Sequence, residues 1–484
     1  MPATADASST PGAPGHVPDP NRWKALAVCL LAGFITLLDV SIVNVGLPSI
    51  RTGLGASESA IQWVLSGYAL AFGLLLVPAG RLGDARGRRR LFMAGLMLFT
   101  VASALCGAAR TPTWLVLARL LQGLAGGMLT PQVSALIQQM FRGAERGRAF
   151  GYFGAVVGLS TAVGPILGGF IIELFGVANG WRWIFYVNLP VCLVALVLAR
   201  RLLPGPEHGA QRCARDLDGL GVLLLGGGVA LVLLPLIQER QWPGAGKWLL
   251  VPAGLLLFAL FAWWEVRHGR RAQPLVDMAL FRQRSYTFGS LIMLFYFAGF
   301  TSIFFVFTLY LQAGLGYSAL EAGLAITPFA VGGAVAAGFS GRLVARYGRA
   351  LVTVALTAVL LGLCLVIFAV YEVPGHRVGL AVALPLLLAG LGGGWVIAPN
   401  QTLTLSAVPP AQGGSAGGVL QTGQRIGSAM GIAAVGSVFF SRLAVSEGDW
   451  AAAFRYSLGV SVAFVALALL ASLADLRTRR TADG

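Results

Sequence analysis

The sequence predicts an all-α polytopic membrane protein: two six-helix bundles plus two inserted transmembrane helices, fourteen in total, with both termini cytoplasmic. Three observations carry this expectation. The 484-residue chain is 57% hydrophobic and only 11% charged, against roughly 45–50% and about 25% in a soluble domain. Its basic residues gather at one set of loop ends, and a sequence pattern recurs at an offset of 261 residues.

Each apolar block is long enough for a helix of about 20 residues to cross a bilayer. The blocks fall near 24–47, 60–80, 91–109, 112–134, 145–174, 182–203, 217–237, 247–267, 285–312, 320–341, 349–370, 379–404, 413–440 and 452–475. Residues 1–20 are rich in Pro, Ala, Ser and Gly. They read as a disordered cytoplasmic tail, because the basic and apolar regions of a signal peptide are missing. The bundles are expected at 21–203 and 271–475, a cytoplasmic loop with the inserted helices 7 and 8 at 204–270, and a second tail at 476–484.

Orientation follows from the 35 basic residues. A cytoplasmic N-terminus puts 25 of them at inner loop ends and eight at outer ones, with Arg119 and Arg425 left inside spans. Basic residues mark cytoplasmic loops, so the net charge of +16 reports topology, and no nucleic-acid partner is expected. Only Lys24 and Lys247 are lysines. Neither sits in the Gly-rich phosphate loop of a nucleotide hydrolase. The five cysteines form no Cys-x-x-Cys pair, and all four histidines lie in tails or loops, so no metal site is expected at membrane depth. An Arg-over-Lys bias of 33 to 2 hints at a GC-rich bacterial genome and a plasma membrane.

The repeat matches Gly80-Arg81-Leu82 and Gly87-Arg88 with Gly341-Arg342-Leu343 and Gly348-Arg349. Two parallel repeats of six helices suggest a transporter that rocks about a central site. The inserted pair reads as peripheral packing.

Charges at membrane depth are costly and default to function. Asp39 in span 1 and Arg119 in span 4 sit at similar depths, roughly 10–12 Å below the outer surface at 1.5 Å per residue. They can pair or share a water-filled cavity. A carboxylate whose environment differs between inward and outward states suits a proton carrier, which makes Asp39 the first candidate. Span 5 carries Gly158, Gly164, Pro165, Gly168 and Gly169, small residues that let helices approach closely beside a proline that can kink one. In the loop Gly80-Arg-Leu-Gly-Asp-Ala-Arg-Gly-Arg-Arg-Arg90, Asp84 among arginines is not explained by orientation. It can form a latch that opens in one conformation.

These stretches resemble the major facilitator superfamily, specifically its fourteen-helix drug:proton antiporter branch. Leu38-Asp39-Val-Ser-Ile-Val-Asn44-Val-Gly-Leu-Pro48 is similar to that branch's helix-1 motif, and Gly80 to Arg90 to its helix 2–3 loop. Leu117-Ala-Arg119-Leu-Leu-Gln122-Gly123 is similar to the helix-4 motif. Gly158 to Gly169 is similar to the antiporter motif, and Trp181-Arg-Trp-Ile-Phe-Tyr-Val-Asn188-Leu-Pro190 to the helix-6 entry. The resemblance implies the major facilitator fold. It implies proton coupling by Asp39 and Arg119, gating by Gly80, Asp84, Gly87 and Arg88, and an antiport motion around Gly164 and Pro165. It also implies export of amphipathic, often cationic compounds. In the second half the counterpart of Asp84 is Ala345, so only the first loop can make that latch.

For the substrate cavity, Tyr296, Phe300 and Phe304 share a face of span 9 with Phe307, and aromatic faces suit flat or cationic ligands. Gln62, Tyr68, Gln122, Asn400 and Arg425 are candidate polar contacts. Arg425 would favour anionic or zwitterionic cargo, or else snorkel to the nearby cytoplasmic end of its span. The expected function is proton-driven efflux of drugs or antibiotics by a monomer, without cofactor, driven by the proton gradient. Its partners are a small amphipathic substrate, protons and the lipid bilayer. The alternative is a dedicated exporter of an endogenous metabolite: an amino acid, siderophore or self-made antibiotic. No constellation for a membrane enzyme is visible.

Overall fold

A computed structural model describes residues 19–176, 178–205, 218–238, 242, 244–270, 272–373, 375–406 and 408–480. The N-terminal tail up to 18, most of the loop after span 6, and 481–484 lie outside the described residues. So do the side chains of 58, 144, 161, 162, 165, 319, 320 and 478–480. Among the described residues, thirteen helices are long and apolar enough to cross a membrane.

The first half comprises α1 (Arg22–Leu54), α2 (Glu58–Arg86), α3 (Arg88–Gly107), α4 (Pro112–Met140), α5 (Gly143–Phe175), and the short α6 (Gly180–Tyr186) running into α7 (Asn188–Leu202). The inserted pair is α8 (Gly219–Ile237) and α9 (Leu250–His268). The second half comprises α10 (Arg284–Leu309), α11 (Ala319–Tyr347), α12 (Arg349–Glu372), a single turn α13 (Val378–Ala381), α14 (Ala383–Ser406), α15 (Gly413–Val445) and α16 (Trp450–Arg480). Span 6, expected as one helix, is therefore two, broken at Val187. α5 is 33 residues long.

The two halves repeat one packing scheme. α1 packs on α5 and α7, α2 on α4, and α3 on α4 and α7; likewise α10 packs on α15 and α16, α11 on α14, and α12 on α14 and α16. The halves meet along two seams, α2 with α15 and α5 with α11. Gly87 (φ +104) and its counterpart Gly348 (φ +52) turn α2 into α3 and α11 into α12. Such positive-φ backbone disfavours a side chain, which explains why a glycine recurs in the two loop motifs.

The inserted pair was expected to be peripheral, and half of that expectation fails. α9 presents Leu255, Leu256 and Trp263 outward, each more than half exposed, as lipid-facing residues should be. α8 instead packs against α2 and α15, covering one seam between the halves. The pair also hides acids. Trp264 Nε1 donates to Asp218 (2.7 Å) and Val276 N to Glu265 (3.1 Å), with both carboxylates buried.

Candidate functional site

Between the halves lies a cavity of about 1370 Å³. Its walls reach Pro48 and Arg51 at the end of α1, Ile61 and Gln62 at the start of α2, Gln312 just after α10 and Gly323 near the start of α11. All of these lie at the helix ends remote from the two chain ends, so the cavity opens away from the face that carries the termini. α8 contributes Leu233, Leu236 and Ile237 to the wall, and Gln62 Nε2 donates to the Ile237 carbonyl (3.2 Å). The floor is a polar bridge across the halves. Gln401 Nε2 (3.1 Å) and Gln421 Nε2 (3.0 Å) both donate to Ser134 Oγ.

Beyond that floor the terminus-bearing face is shut at both seams by glycines. A Cβ on Gly80 of α2 would collide with the Gly414 carbonyl of α15; one on Gly341 of α11 would collide with the backbone of Gly147 and Arg148 on α5. Among the described residues, only the first seam has an ionic latch. Asp84 accepts from the Gly414 (3.0 Å) and Ser415 (2.9 Å) amides, the free N–H groups of the first turn of α15, where a helix favours negative charge. Arg88 holds the same carboxylate through Nε (3.1 Å) and NH2 (2.8 Å), and donates to the Ala135 (3.1 Å) and Pro410 carbonyls. At the second seam Ala345 is exposed.

In that half the arginine is used differently. Arg349, the counterpart of Arg88, is 1% exposed. It donates to Asp475 of α16 (2.6 Å), to Asn400, and to the Ser285 carbonyl (2.7 Å). Asn400, expected at the cavity, is instead locked here with its amide on the Gly289 carbonyl (2.8 Å). Neither this network nor Asp475 was legible in the motifs.

Asp39 and Arg119 meet. Arg119 NH1 donates to Asp39 (2.6 Å), whose other oxygen accepts from Gln122 Nε2 (2.8 Å) and Asn188 Nδ2 (3.0 Å). Gln122 also reaches Ser103 (2.8 Å) and accepts from Arg119 (2.8 Å), while Arg119 Nε caps the Val64 carbonyl (3.1 Å). Five helices converge here, and Asp39 and Arg119 are 0% and 1% exposed. Neither lines the cavity; their neighbours Thr36, Leu37 and Val40 on α1 do. The pair is thus sealed one side chain behind the wall. Tyr68 and Gln122, expected in the cavity, belong to this network. Tyr68 lies under the Arg119 guanidinium (4.2 Å) and donates to the Thr36 carbonyl (3.4 Å). Asn188 is the member that motif reading placed only at a helix entry.

Of the remaining cavity candidates, Gln62, Phe300, Phe304 and Arg425 line it, and so does Gly158. Tyr296 is fully buried beside Phe300. Arg425 does not snorkel. It lies twelve residues into α15, about 18 Å from that helix's first turn, with its guanidinium 4.1 Å from the Phe72 ring. On α5, Gly164 and Gly168 pack against Ser41 and Ile42 of α1, and Gly169 faces open space; the side chain of Pro165 lies outside those described.

The family model of the Major Facilitator Superfamily matches residues 29–432 and again 289–482. The chain is 37% identical over 93% of its length to the probable actinorhodin transporter of Streptomyces coelicolor, covering 78% of that protein. It is 38% identical over 87% to the puromycin resistance protein pur8 of Streptomyces alboniger, covering 82% of it. To the cephamycin export protein CmcT of Amycolatopsis lactamdurans it is 32% identical over 95%, covering 94%. Among solved structures, the human organic anion transporter MFSD10 superposes with a TM-score of 0.65 over 93% of this chain and 100% of that one, at 17% identity. The proton:xylose symporter XylE superposes with 0.63 over 93% and 94%, also at 17%. At that identity the two structures speak to the fold alone.

Proposed function

The chain belongs to the major facilitator superfamily, and from that premise we propose that it is a proton-coupled antiporter exporting amphipathic drugs or antibiotics across the bacterial plasma membrane. In this reading it has fourteen spans, α5 included, with both termini cytoplasmic, and acts as a monomer. The observation that carries it is the buried Asp39–Arg119 pair, braced by Gln122 and Asn188 and placed one side chain behind the cavity wall.

Both Asp39 oxygens are occupied as acceptors. A proton arriving at Asp39 turns one oxygen into a donor and removes the counter-charge of Arg119. At least one of the three partners must then rearrange, and each belongs to a helix of the first bundle. That links protonation to the posture of α1 and α4. The conformer has its cavity open to the outside and its cytoplasmic face shut by Asp84, Gly80 and Gly341. It is the state in which substrate leaves and a proton enters. Substrate loading requires the Asp84 carboxylate to give up the first turn of α15 and the two glycine seams to part. Rocking of one bundle against the other about the cavity floor is the expected motion.

The names of the actinorhodin and cephamycin relatives support a second reading, a dedicated exporter of a self-made antibiotic. Expression in a bacterium stripped of its own efflux pumps tests export. Accumulation of a polycyclic antibiotic should fall several-fold and recover when a protonophore collapses the gradient. Unchanged accumulation across such compounds would contradict export, and insensitivity to the protonophore would contradict proton coupling.

A further inference from the structure

On the export reading of this cavity, we infer that the substrate is an aromatic anion: an extended ring system bearing a carboxylate, phenolate or enolate whose counter-ion is Arg425. Among the described residues lining the cavity there is no Asp or Glu, whereas Arg425 and, at the mouth, Arg51 are present.

Charge at membrane depth is normally paired, and three buried carboxylates of this protein follow that rule. Asp39 has Arg119, Asp84 has Arg88, and Asp475 has Arg349. Arg425 departs from that rule. Among the described residues it makes no hydrogen bond and no ion pair, and its contact is the face of Phe72 at 4.1 Å. Stacking on a ring leaves the edge of a guanidinium free, and that edge presents N–H donors in a fork matched to a carboxylate or phenolate. At about 18 Å from the helix end it is too deep to snorkel to the interface on that side.

The surroundings extend the same chemistry. One turn along α15, Ser428 bonds Thr301 of α10 (2.9 Å), which draws the helix bearing Arg425 against the helix bearing Phe300. Phe300 and Phe304 both pack on Phe329, with ring centroids 5.8 and 5.3 Å apart, forming a broad apolar wall on the cavity side. A flat molecule can lie on that wall with an acidic edge on Arg425. The volume of about 1370 Å³ exceeds the ~300–1,000 Å³ of ordinary drug sites, so several fused rings fit. A cation placed in the same space meets a like charge and no carboxylate, which selects against it.

Binding to the purified full-length protein in detergent decides the matter, read by fluorescence anisotropy. The probes are fluorescein, an anionic xanthene, and rhodamine 6G, a cationic dye on the same rings. Wild type should bind fluorescein more tightly. Arg425→Gln should weaken fluorescein at least about tenfold, since a charge-assisted hydrogen bond is lost, while rhodamine 6G binds no worse. Arg425→Lys, which keeps the charge without the fork, should recover part of the fluorescein affinity. Tighter binding of rhodamine 6G by wild type, unchanged fluorescein affinity in Arg425→Gln, or binding of neither dye would overturn the inference. Fluorescein that binds through Arg425 but is never moved across a vesicle membrane would overturn the export reading and leave this inference standing.

Discussion

Arg119 and Arg425 press on successive rings of one helix. Arg119 lies 4.2 Å from the Tyr68 ring and Arg425 4.1 Å from the Phe72 ring, and the two rings stand 5.9 Å apart on α2. The guanidinium that holds the buried carboxylate and the one that faces the cavity therefore share an aromatic ladder one helical turn long. A change at Asp39 that moves Arg119 acts on the surface against which Arg425 rests.

Phe72→Leu removes the upper rung while keeping an apolar side chain of similar reach. A desolvated cation–π contact is worth roughly 2 kcal/mol, so Arg425 loses its fixed posture. Transport should fall about tenfold or more, with a small change in melting temperature. Unimpaired transport in vesicles would show that the ladder is packing without consequence.

Breaking the buried pair should cost far more than breaking a surface one. Removing one partner of a buried ion pair destabilises by roughly 3–5 kcal/mol, whereas an exposed pair contributes about 0–1 kcal/mol. Arg119→Ala should therefore lower the melting temperature of the purified protein well below that of Arg22→Ala, which breaks the pair with Glu145 at the helix ends. Similar melting curves for the two would contradict the burial assigned to Asp39 and Arg119.

Gly80→Val places a branched side chain where α2 touches the Gly414 backbone. The protein cannot then shut the face that carries the termini. A cysteine introduced at Ser415 should become labelled by a maleimide from that face several-fold faster than in an otherwise unmodified protein. Asp84→Asn should act in the same direction and less strongly, because it removes only the charged latch. Labelling unchanged by either substitution would sink the gate.

Arg349 and Asp475 should behave as one unit. Each single alanine variant leaves a buried charge behind, and the double variant leaves neither. The double variant should be no less stable than the worse single, a coupling of about 1–3 kcal/mol in a double-mutant cycle. Additive losses would mean that the two residues act independently.

What could be read from the chain alone followed from periodicity and charge. Long apolar blocks, one-sided arginines and the Gly80/Gly341 repeat were enough for two helical halves with an insertion. Asp39, Arg119 and Asp84 stood out because a charge within or beside an apolar block has few structural excuses. Residues whose role depends on which face of a helix they occupy were not legible. Tyr68 and Gln122 point away from the cavity into the Asp39 network, Tyr296 is buried, and Asn400 is held by Arg349. A span's sequence fixes depth but not rotation about the helix axis, since packing against neighbours sets that. Asp475 escaped notice for a related reason. Near the end of the last helix it looks like an ordinary cytoplasmic acid, and only tertiary structure brings it to Arg349. The cavity role of α8 was hidden too, because an apolar helix against lipid and one against a cavity have the same composition.

The most direct measurement uses proteoliposomes with an imposed pH gradient, loaded with pyranine to report internal pH. Fluorescein and ethidium are supplied in parallel, to wild type and to Asp39→Asn. Asparagine at 39 keeps the size of the side chain and removes its charge. Proton-coupled antiport predicts that wild type moves at least one dye against a matching proton flux, and that both movements are lost together in Asp39→Asn. Dye movement at the wild-type rate in Asp39→Asn, or wild-type movement indifferent to the gradient, would contradict Asp39 as the coupling residue.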